Sequence, residues 1–482
     1  MNKNYDDSDL NDIIRHSYQL LNRSFLEVLQ SGSQNDEELS SLIKRFSSAS
    51  NKGGLGTLLE EFFYGYAPNS KQDADFDKVG VELKVTPFEK NARGDYRAGE
   101  RLVISMIPND EEIPLDFEKS TLKKKISQML MIWYERRREL TRLAYQIKKL
   151  YYYNLYDESL KNDLAIIKED FKIISQKIRA GLAHELSEGE TRYLGACTKG
   201  ATAAKSVQPQ FYNPSQPAKR RAYSLKQSYM TFVLNNYVLN QSDEYESIFK
   251  HNELAESSFD DEVKKKLAFY YGMDEHSLYQ RFDLLGSSAK QKNKMLVNRM
   301  LGINTDAAEF RKANIIVKTI RVQKNGIPKE SMSFANVLIQ DFVDNKFEDS
   351  TIYQFFEEAR FLFVIFHEND KGKYILRKSM FWNMPLSDLE NIVKNEWQRY
   401  KDIFVKGVTF TITANRITNN LPKKTETDIF HLRPRAKHSA YIIGAVSYGR
   451  GGEADMDQLP NGDKMTAQCF WLNNDYIAKI IR

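Results

Sequence analysis

Apolar residues recur at helical spacing near the start of the chain. Ile13, Ile14, Tyr18, Leu21, Phe25, Val28 and Leu29 predict a helix over 9–30, and a shorter helix is predicted over 35–46. A glycine-rich turn, Lys52-Gly53-Gly54-Leu55-Gly56, then opens a helix through Leu58, Leu59, Phe62 and Phe63. No Gly-Lys-Ser/Thr follows, and the spacing does not fit a dinucleotide fingerprint, so these glycines read as a turn that lets backbone pass close to a neighbour. From 79 to 86 the period falls to two. Val79, Val81, Leu83 and Val85 share one face, and Gly80, Glu82, Lys84 and Thr86 share the other. Pro87 is expected to end this strand, and 101–107 to be its hairpin partner after a turn at 91–95. A basic helix (122–128), a strand (129–134), a tyrosine-rich strand (150–156) and a helix (159–178) follow. The proline-bearing stretch 208–219 reads as a surface loop.

The second half echoes the first. Asp75-Phe76-Asp77-Lys78-Val79-Gly80-Val81-Glu82-Leu83-Lys84 lines up without gaps on Glu309-Phe310-Arg311-Lys312-Ala313-Asn314-Ile315-Ile316-Val317-Lys318, at a constant offset of 309 − 75 = 234. A glycine-containing hairpin and an apolar strand follow in both halves, and 355–366 repeats the helix-then-strand order of 122–134. Two copies of one fold is the economical explanation. The charged stretch 241–267 is the expected connection, giving domains 1–242 and 243–482.

The length of 482 residues suits two or three domains, and 41% hydrophobic residues excludes wholesale disorder. Seventy Lys and Arg against 65 Asp and Glu leave +5, a balance that permits nucleic-acid binding without arguing for it. The cysteines are Cys197 and Cys469, far apart and without a second pair for zinc, and the seven histidines show no metal-ligand spacing. The polar, acidic N-terminus shows no signal peptide, and no apolar run is long enough to span a bilayer, so a cytoplasmic location is expected.

Phosphodiester hydrolysis needs a placed water and neutralised phosphate charge, which divalent cations held by carboxylate and carbonyl oxygens supply. Glu82 and Lys84, about 6–7 Å apart along one strand face, fit a metal ligand beside a lysine that orients or deprotonates water. Asp75, Glu60 on the preceding helix and the Leu83 carbonyl complete a candidate set. Glu-x-Lys alone is weak: Glu262-Val263-Lys264 also satisfies it, on what reads as a solvated helix. The Glu82 instance differs because its strand has a fully apolar opposite face and Asp75 precedes it.

Lys52 to Glu60, Asp75-Phe76 and Gly80-Val81-Glu82-Leu83-Lys84-Val85-Thr86-Pro87 together resemble the active-site signature of the MutH family, GATC-specific DNA endonucleases with a restriction-enzyme-like fold. Tyr193-Leu194-Gly195-Ala196-Cys197-Thr198-Lys199-Gly200-Ala201 is similar to that family's DNA-reading loop, with Tyr223-Ser224-Leu225-Lys226 after it. His184 to Gly189 and Cys469 to Tyr476 resemble a branch of type II restriction enzymes with two MutH-like halves. The resemblance implies two α/β domains, each a mixed sheet flanked by helices. It puts catalysis and Mg²⁺ on Glu60, Asp75, Glu82 and Lys84, with the Leu83 carbonyl. DNA contacts fall on Lys52, Lys125, Lys199 and Lys226. Lys199 suits guanine O6 and N7, but the arginine expected two residues earlier is Cys197.

The second copy departs where chemistry would need it: Ile316 stands at Glu82, Glu309 at Asp75, and 291–301 holds no carboxylate. His431-Leu432-Arg433-Pro434-Arg435-Ala436-Lys437 nevertheless resembles the reading loop, with Arg433 and Arg435 as DNA contacts, so this half is expected to bind DNA as an effector. The resemblance implies double-stranded DNA as partner, a monomer in solution pairing or looping on DNA, and a companion methyltransferase that forms no stable complex. The alternatives are a mismatch-repair nicking enzyme and a non-catalytic DNA-binding protein.

Overall fold

The computed structural model describes residues 4–48, 53–67, 73–91, 93–199, 207–241, 245–249, 253–254, 257–289, 291–413 and 416–482. Its chain divides into two compact units. Unit 1 comprises Met1–Leu186, Thr191–Glu262 and Thr305–Ile315; unit 2 comprises Ser187–Glu190, Val263–Asn304 and Ile316–Arg482. The expected division at 242/243 therefore falls inside unit 1. Among the described residues no helix is long and apolar enough to cross a membrane.

Unit 1 opens on helices α1 (Leu10–Ser17), α2 (Phe25–Gly32), α3 (Asp36–Ser47) and α4 (Gly54–Phe62). The single helix expected over 9–30 is two. Asn22 turns left-handed at φ 64°, a conformation asparagine tolerates. Ser24 and Glu27 then form a reciprocal capping box that starts α2 afresh. These helices bury Ile13, Phe25, Leu29, Phe46, Leu58 and Leu59 against Val81 and against Leu83, Leu130 and Ile132 of the sheet.

That sheet runs in the order β2 (Tyr96–Ala98), β1 (Glu82–Lys90), β4 (Gln128–Glu135), β5 (Gln146–Asn154). Strands β1 and β4 are parallel, from Glu82 opposite Met129 to Phe88 opposite Glu135. Met129 to Trp133 are all buried, as a central strand covered on both faces requires. Two expectations about β1 fail. It begins at Glu82, not 79, because Phe76 and Val81 exchange backbone hydrogen bonds (2.9 and 3.2 Å) around Gly80 at φ +67°. It also runs through Pro87 to Lys90. The Pro87 carbonyl accepts from Gly99, so its missing N–H faces the β2 side, where the ladder starts only at Phe88.

The hairpin partner of β1 is accordingly β2. The segment β3 (Leu102–Met106) leaves for a second sheet, ordered β3, β7 (Arg221–Leu225), β6 (Leu194–Thr198), all antiparallel. Helix α5 (Thr121–Ile126) is capped by Ser120 and leads into β4; α6 (Lys161–Arg179) precedes β6, and α7 (Gln227–Val233) follows β7. Helix α8 (Ala308–Ala313) also belongs to this unit: Lys312 Nζ donates to Asp163 of α6 at 2.7 and 2.9 Å.

Unit 2 repeats the order. Strands β8 (Ile315–Val322), β10 (Arg360–Glu368) and β11 (Tyr374–Trp382) form one sheet, and β9 (Met332–Asn336), β13 (Gln468–Leu472) and β12 (Phe430–Pro434) a second, with β13 central as β7 is in unit 1. Helices α9 (Thr351–Glu358), α10 (Lys394–Lys406) and α11 (Asn474–Ile481) stand where α5, α6 and α7 stand. Details recur too. Ser120 and Ser350 cap α5 and α9 with the same pair of bonds, to Phe117 and Phe347 carbonyls at 2.6 Å and from Lys123 and Tyr353 amides at 3.2 Å.

Candidate active site

Period two along β1 puts Glu82 and Lys84 on the face turned toward β3. Lys84 Nζ donates to Glu82 Oε1 at 2.8 Å and to the Ile104 carbonyl of β3 at 3.4 Å. Lys125, at the end of α5, places its Nζ 3.3 and 3.4 Å from the two Glu82 oxygens. Glu82 is 3% exposed, so it is a buried carboxylate held between two ammonium groups.

Asp75 lies on the turn that enters β1, and its Oδ2 accepts the Leu83 N–H at 2.9 Å. Within a strand the N–H and C=O of one residue point to the same side, which directs the Leu83 carbonyl toward Asp75 as well. Glu60 projects from α4. Burial, followed by the neighbouring charge of Asp75, pushes its carboxyl up to about 7. Asp75 is raised in the same direction by burial and then by Glu82, against the Leu83 hydrogen bond. Tyr66, which the sequence reading did not single out, contributes a hydroxyl that no described residue partners. Burial and then the charges of Asp75 and Glu60 raise its pKa.

Glu60 and Asp75, each raised by burial and by the carboxylates beside it, hold negative charge at a cost, and a divalent cation relieves that cost. The donor set of Glu60, Asp75, Glu82 and the Leu83 carbonyl is all oxygen, as Mg²⁺ requires. Their side chains do not close to within 4.8 Å of one another as a group; the described carboxylates that do are Glu188, Glu357 and Glu358 of unit 2, each engaged with other groups.

The sequence-predicted DNA contacts fall in several places. Lys52 lies outside the described residues. Lys125 joins the carboxylate site. Lys199 follows β6, its backbone amide donating to Arg220 at 2.8 Å. Lys226 is turned inward, 4% exposed, with Nζ on the Thr191 carbonyl at 2.6 Å. In unit 2 Arg433 lies 5.0 Å over the Trp471 ring, and Arg435 donates to the Phe334 carbonyl at 2.7 Å. Leu194 pairs with Leu225 as Phe430 pairs with Leu472, so Arg433 occupies in β12 the position of Cys197 in β6.

Residues 64–170 match the family model described as DNA mismatch repair enzyme MutH. The chain is 33% identical over 456 residues to the type II restriction enzyme Sau3AI of Staphylococcus aureus, covering 89% of this chain and 92% of that one. It is 26% identical over 194 residues to the DNA mismatch repair protein MutH of Vibrio parahaemolyticus, 40% of this chain and 82% of the relative. The MutH of Shewanella woodyi matches over 38% of this chain at the same identity. With both units covered by one relative, and Asp75, Glu82, Lys84 and Lys125 inside the MutH match, the chain belongs to the Sau3AI family of type II restriction enzymes, site-specific deoxyribonucleases with a MutH-like fold.

Proposed function

We propose that unit 1 hydrolyses double-stranded DNA at a short specific sequence, GATC, with Mg²⁺, and that unit 2 binds a further copy of the site and raises that activity. The observation that carries the catalytic reading is the convergence of Glu60, Asp75, Glu82 and Lys84 with Lys125. Glu60, Asp75, Glu82 and the Leu83 carbonyl would hold the ion, which supplies Lewis-acid polarisation of the phosphoryl oxygen. Lys84 is fixed by Glu82 and the Ile104 carbonyl, so its ammonium can orient a water against the phosphorus. Lys125, on the other side of Glu82, adds positive charge where the phosphate's negative charge grows.

GATC rests on the MutH-like reading strand and on family membership. A target carried on the cytoplasmic side, a monomer in solution and an unattached companion methyltransferase complete the reading. Incubating a plasmid with and without Mg²⁺ and sequencing the ends tests it. Cleavage before or within GATC only with the cation is expected; cleavage in chelator, or ends at unrelated sequences, refutes it.

A further inference from the structure

The position of the catalytic lysine survives in unit 2 while its carboxylates do not. Lys318 of β8 donates to the Ser333 carbonyl of β9 at 3.1 Å, as Lys84 of β1 does to Ile104 of β3. Where Glu82 would stand is Ile316, packed against the core of the unit. Glu309, the residue aligned with Asp75, accepts hydrogen bonds from Ser247 and the Ile248 amide within unit 1.

What has replaced the carboxylates is a second cation. Lys318 Nζ lies 4.8 Å over the Phe334 ring, and Arg435 from the reading segment donates to the Phe334 carbonyl at 2.7 Å. Phe334 is itself fixed by stacking on Phe470, with centroids 4.8 Å apart at 8°. Among the described residues neither Lys318 nor Arg435 makes an ion pair. Burial and then Arg435 lower the Lys318 pKa, and no carboxylate opposes them. A cavity of about 140 Å³ opens beside Lys318, with Arg321, Lys329, Glu330 and Ser331 among its other walls. Two cations converging on one aromatic residue without a counter-ion repel each other unless an anion lies between them.

We infer that Lys318 and Arg435 form an anion site that takes a backbone phosphate of DNA bound by unit 2, at the place where unit 1 holds the phosphate it cuts. The ancestral cation site has thus become a phosphate site. This rests on the reading of unit 2 as a DNA-binding body, and it adds a sequence-independent contact that sets register while Arg433 and the reading strand face the bases.

Lysine acylation of the full chain, read residue by residue by mass spectrometry, tests it. A short target duplex is expected to slow acylation of Lys318 several-fold, an effect lost at high salt, whereas inorganic phosphate at millimolar concentration leaves Lys318 reactive. Lys318→Gln should weaken duplex binding equally for target and non-target sequences and reduce the slope of log affinity against log salt by about one. Lys318→Arg should restore both. Lys318 equally reactive with and without duplex overturns the inference, as does equal protection by inorganic phosphate alone. Duplex that stimulates cleavage without shielding Lys318 refutes the phosphate site and leaves the effector reading standing. Shielding without stimulation supports the site and removes the effector role.

Discussion

Glu82 is bracketed by Lys84 and Lys125 and shut off from water, so removing it changes more than a ligand count. Glu82→Ala leaves two half-buried ammonium groups without their carboxylate and strips the pocket of its central oxygen donor. Cleavage is expected to fall at least a thousandfold, about 4 kcal/mol of transition-state stabilisation, with far-ultraviolet circular dichroism unchanged. Loss of supercoiled plasmid measures it, and a variant retaining a tenth of the parent rate would remove Glu82 from the chemistry. Glu60 gives a different signature. Its carboxyl stands at about 7, against 4.5 ordinarily. The folded chain therefore binds the extra proton between those values, and stability falls as pH rises through that window. Glu60→Gln abolishes the penalty. In metal-free buffer the variant should be more stable than the parent by about 1–2 kcal/mol near pH 8, after discounting for solvent screening, and equal near pH 4. Urea unfolding at both pH values decides it; a difference independent of pH would show that Glu60 acts by packing alone.

Strands β6 and β12 each start from a buried carboxylate. Asp170 of α6 accepts the amides of Arg192, Tyr193 and Leu194 at 2.7–3.0 Å. Glu396 of α10 accepts those of Asp428, Ile429 and Phe430. Three backbone donors on one carboxylate fix where the strand begins, and so which residues of β6 and β12 reach its far end. Glu396→Ala orphans all three and should cost about 3 kcal/mol, lowering a thermal transition of the full chain; Glu396→Gln, which keeps an acceptor, should cost less. A calorimetric trace unchanged in Glu396→Ala would deny the bracket its role. Neither carboxylate was legible in the sequence, because its partners are amides 22 to 34 residues away and carry no side-chain signature. What was legible is local: the alternation at 81–86, the helix carrying Glu60 and the helix ending at Lys125. The hairpin partner of β1 was not, since β2 and β3 are both adjacent and only the distant strand β7 draws β3 away. The offset of 234 between copies was readable because repeat and register share one period. That Lys226 turns inward was not, because the Thr191 carbonyl that holds it is set by tertiary folding.

The chain does not divide once. Helix α8, more than sixty residues beyond the expected boundary, belongs to unit 1, where Lys312 faces Asp163 in a buried pair that Tyr229 also joins at 3.0 Å. A fragment ending at residue 242 loses Lys312 and leaves Asp163 buried without its cation, an uncompensated charge worth about 3–5 kcal/mol. A fragment of 1–315 should therefore unfold at a clearly higher temperature than one of 1–242, and equal midpoints would show that α8 contributes nothing to unit 1.

Only unit 1 carries the full set of Glu60, Asp75, Glu82 and Lys84; unit 2 has Ile316 where Glu82 would be and no carboxylate on the helix Lys292–Met300. If that set is the catalytic centre, a chain with one of them breaks one strand at a time, so a double-strand break at a symmetric site needs two chains or two successive visits. If unit 2 holds a second copy of the site, binding there favours the cutting-competent state by a coupling free energy of about 1–3 kcal/mol, and looped DNA raises the local concentration of the second chain. Slow nicking of a one-site plasmid and faster linearisation of a two-site plasmid are expected from a chain that sediments as a monomer without DNA. A short duplex bearing the site should rescue the one-site plasmid in trans, and Arg433→Ala combined with Arg435→Ala should abolish the rescue while leaving the slow nicking in place. Equal rates on the two plasmids, indifferent to added duplex, would leave unit 2 without a part in the reaction and make unit 1 alone the enzyme.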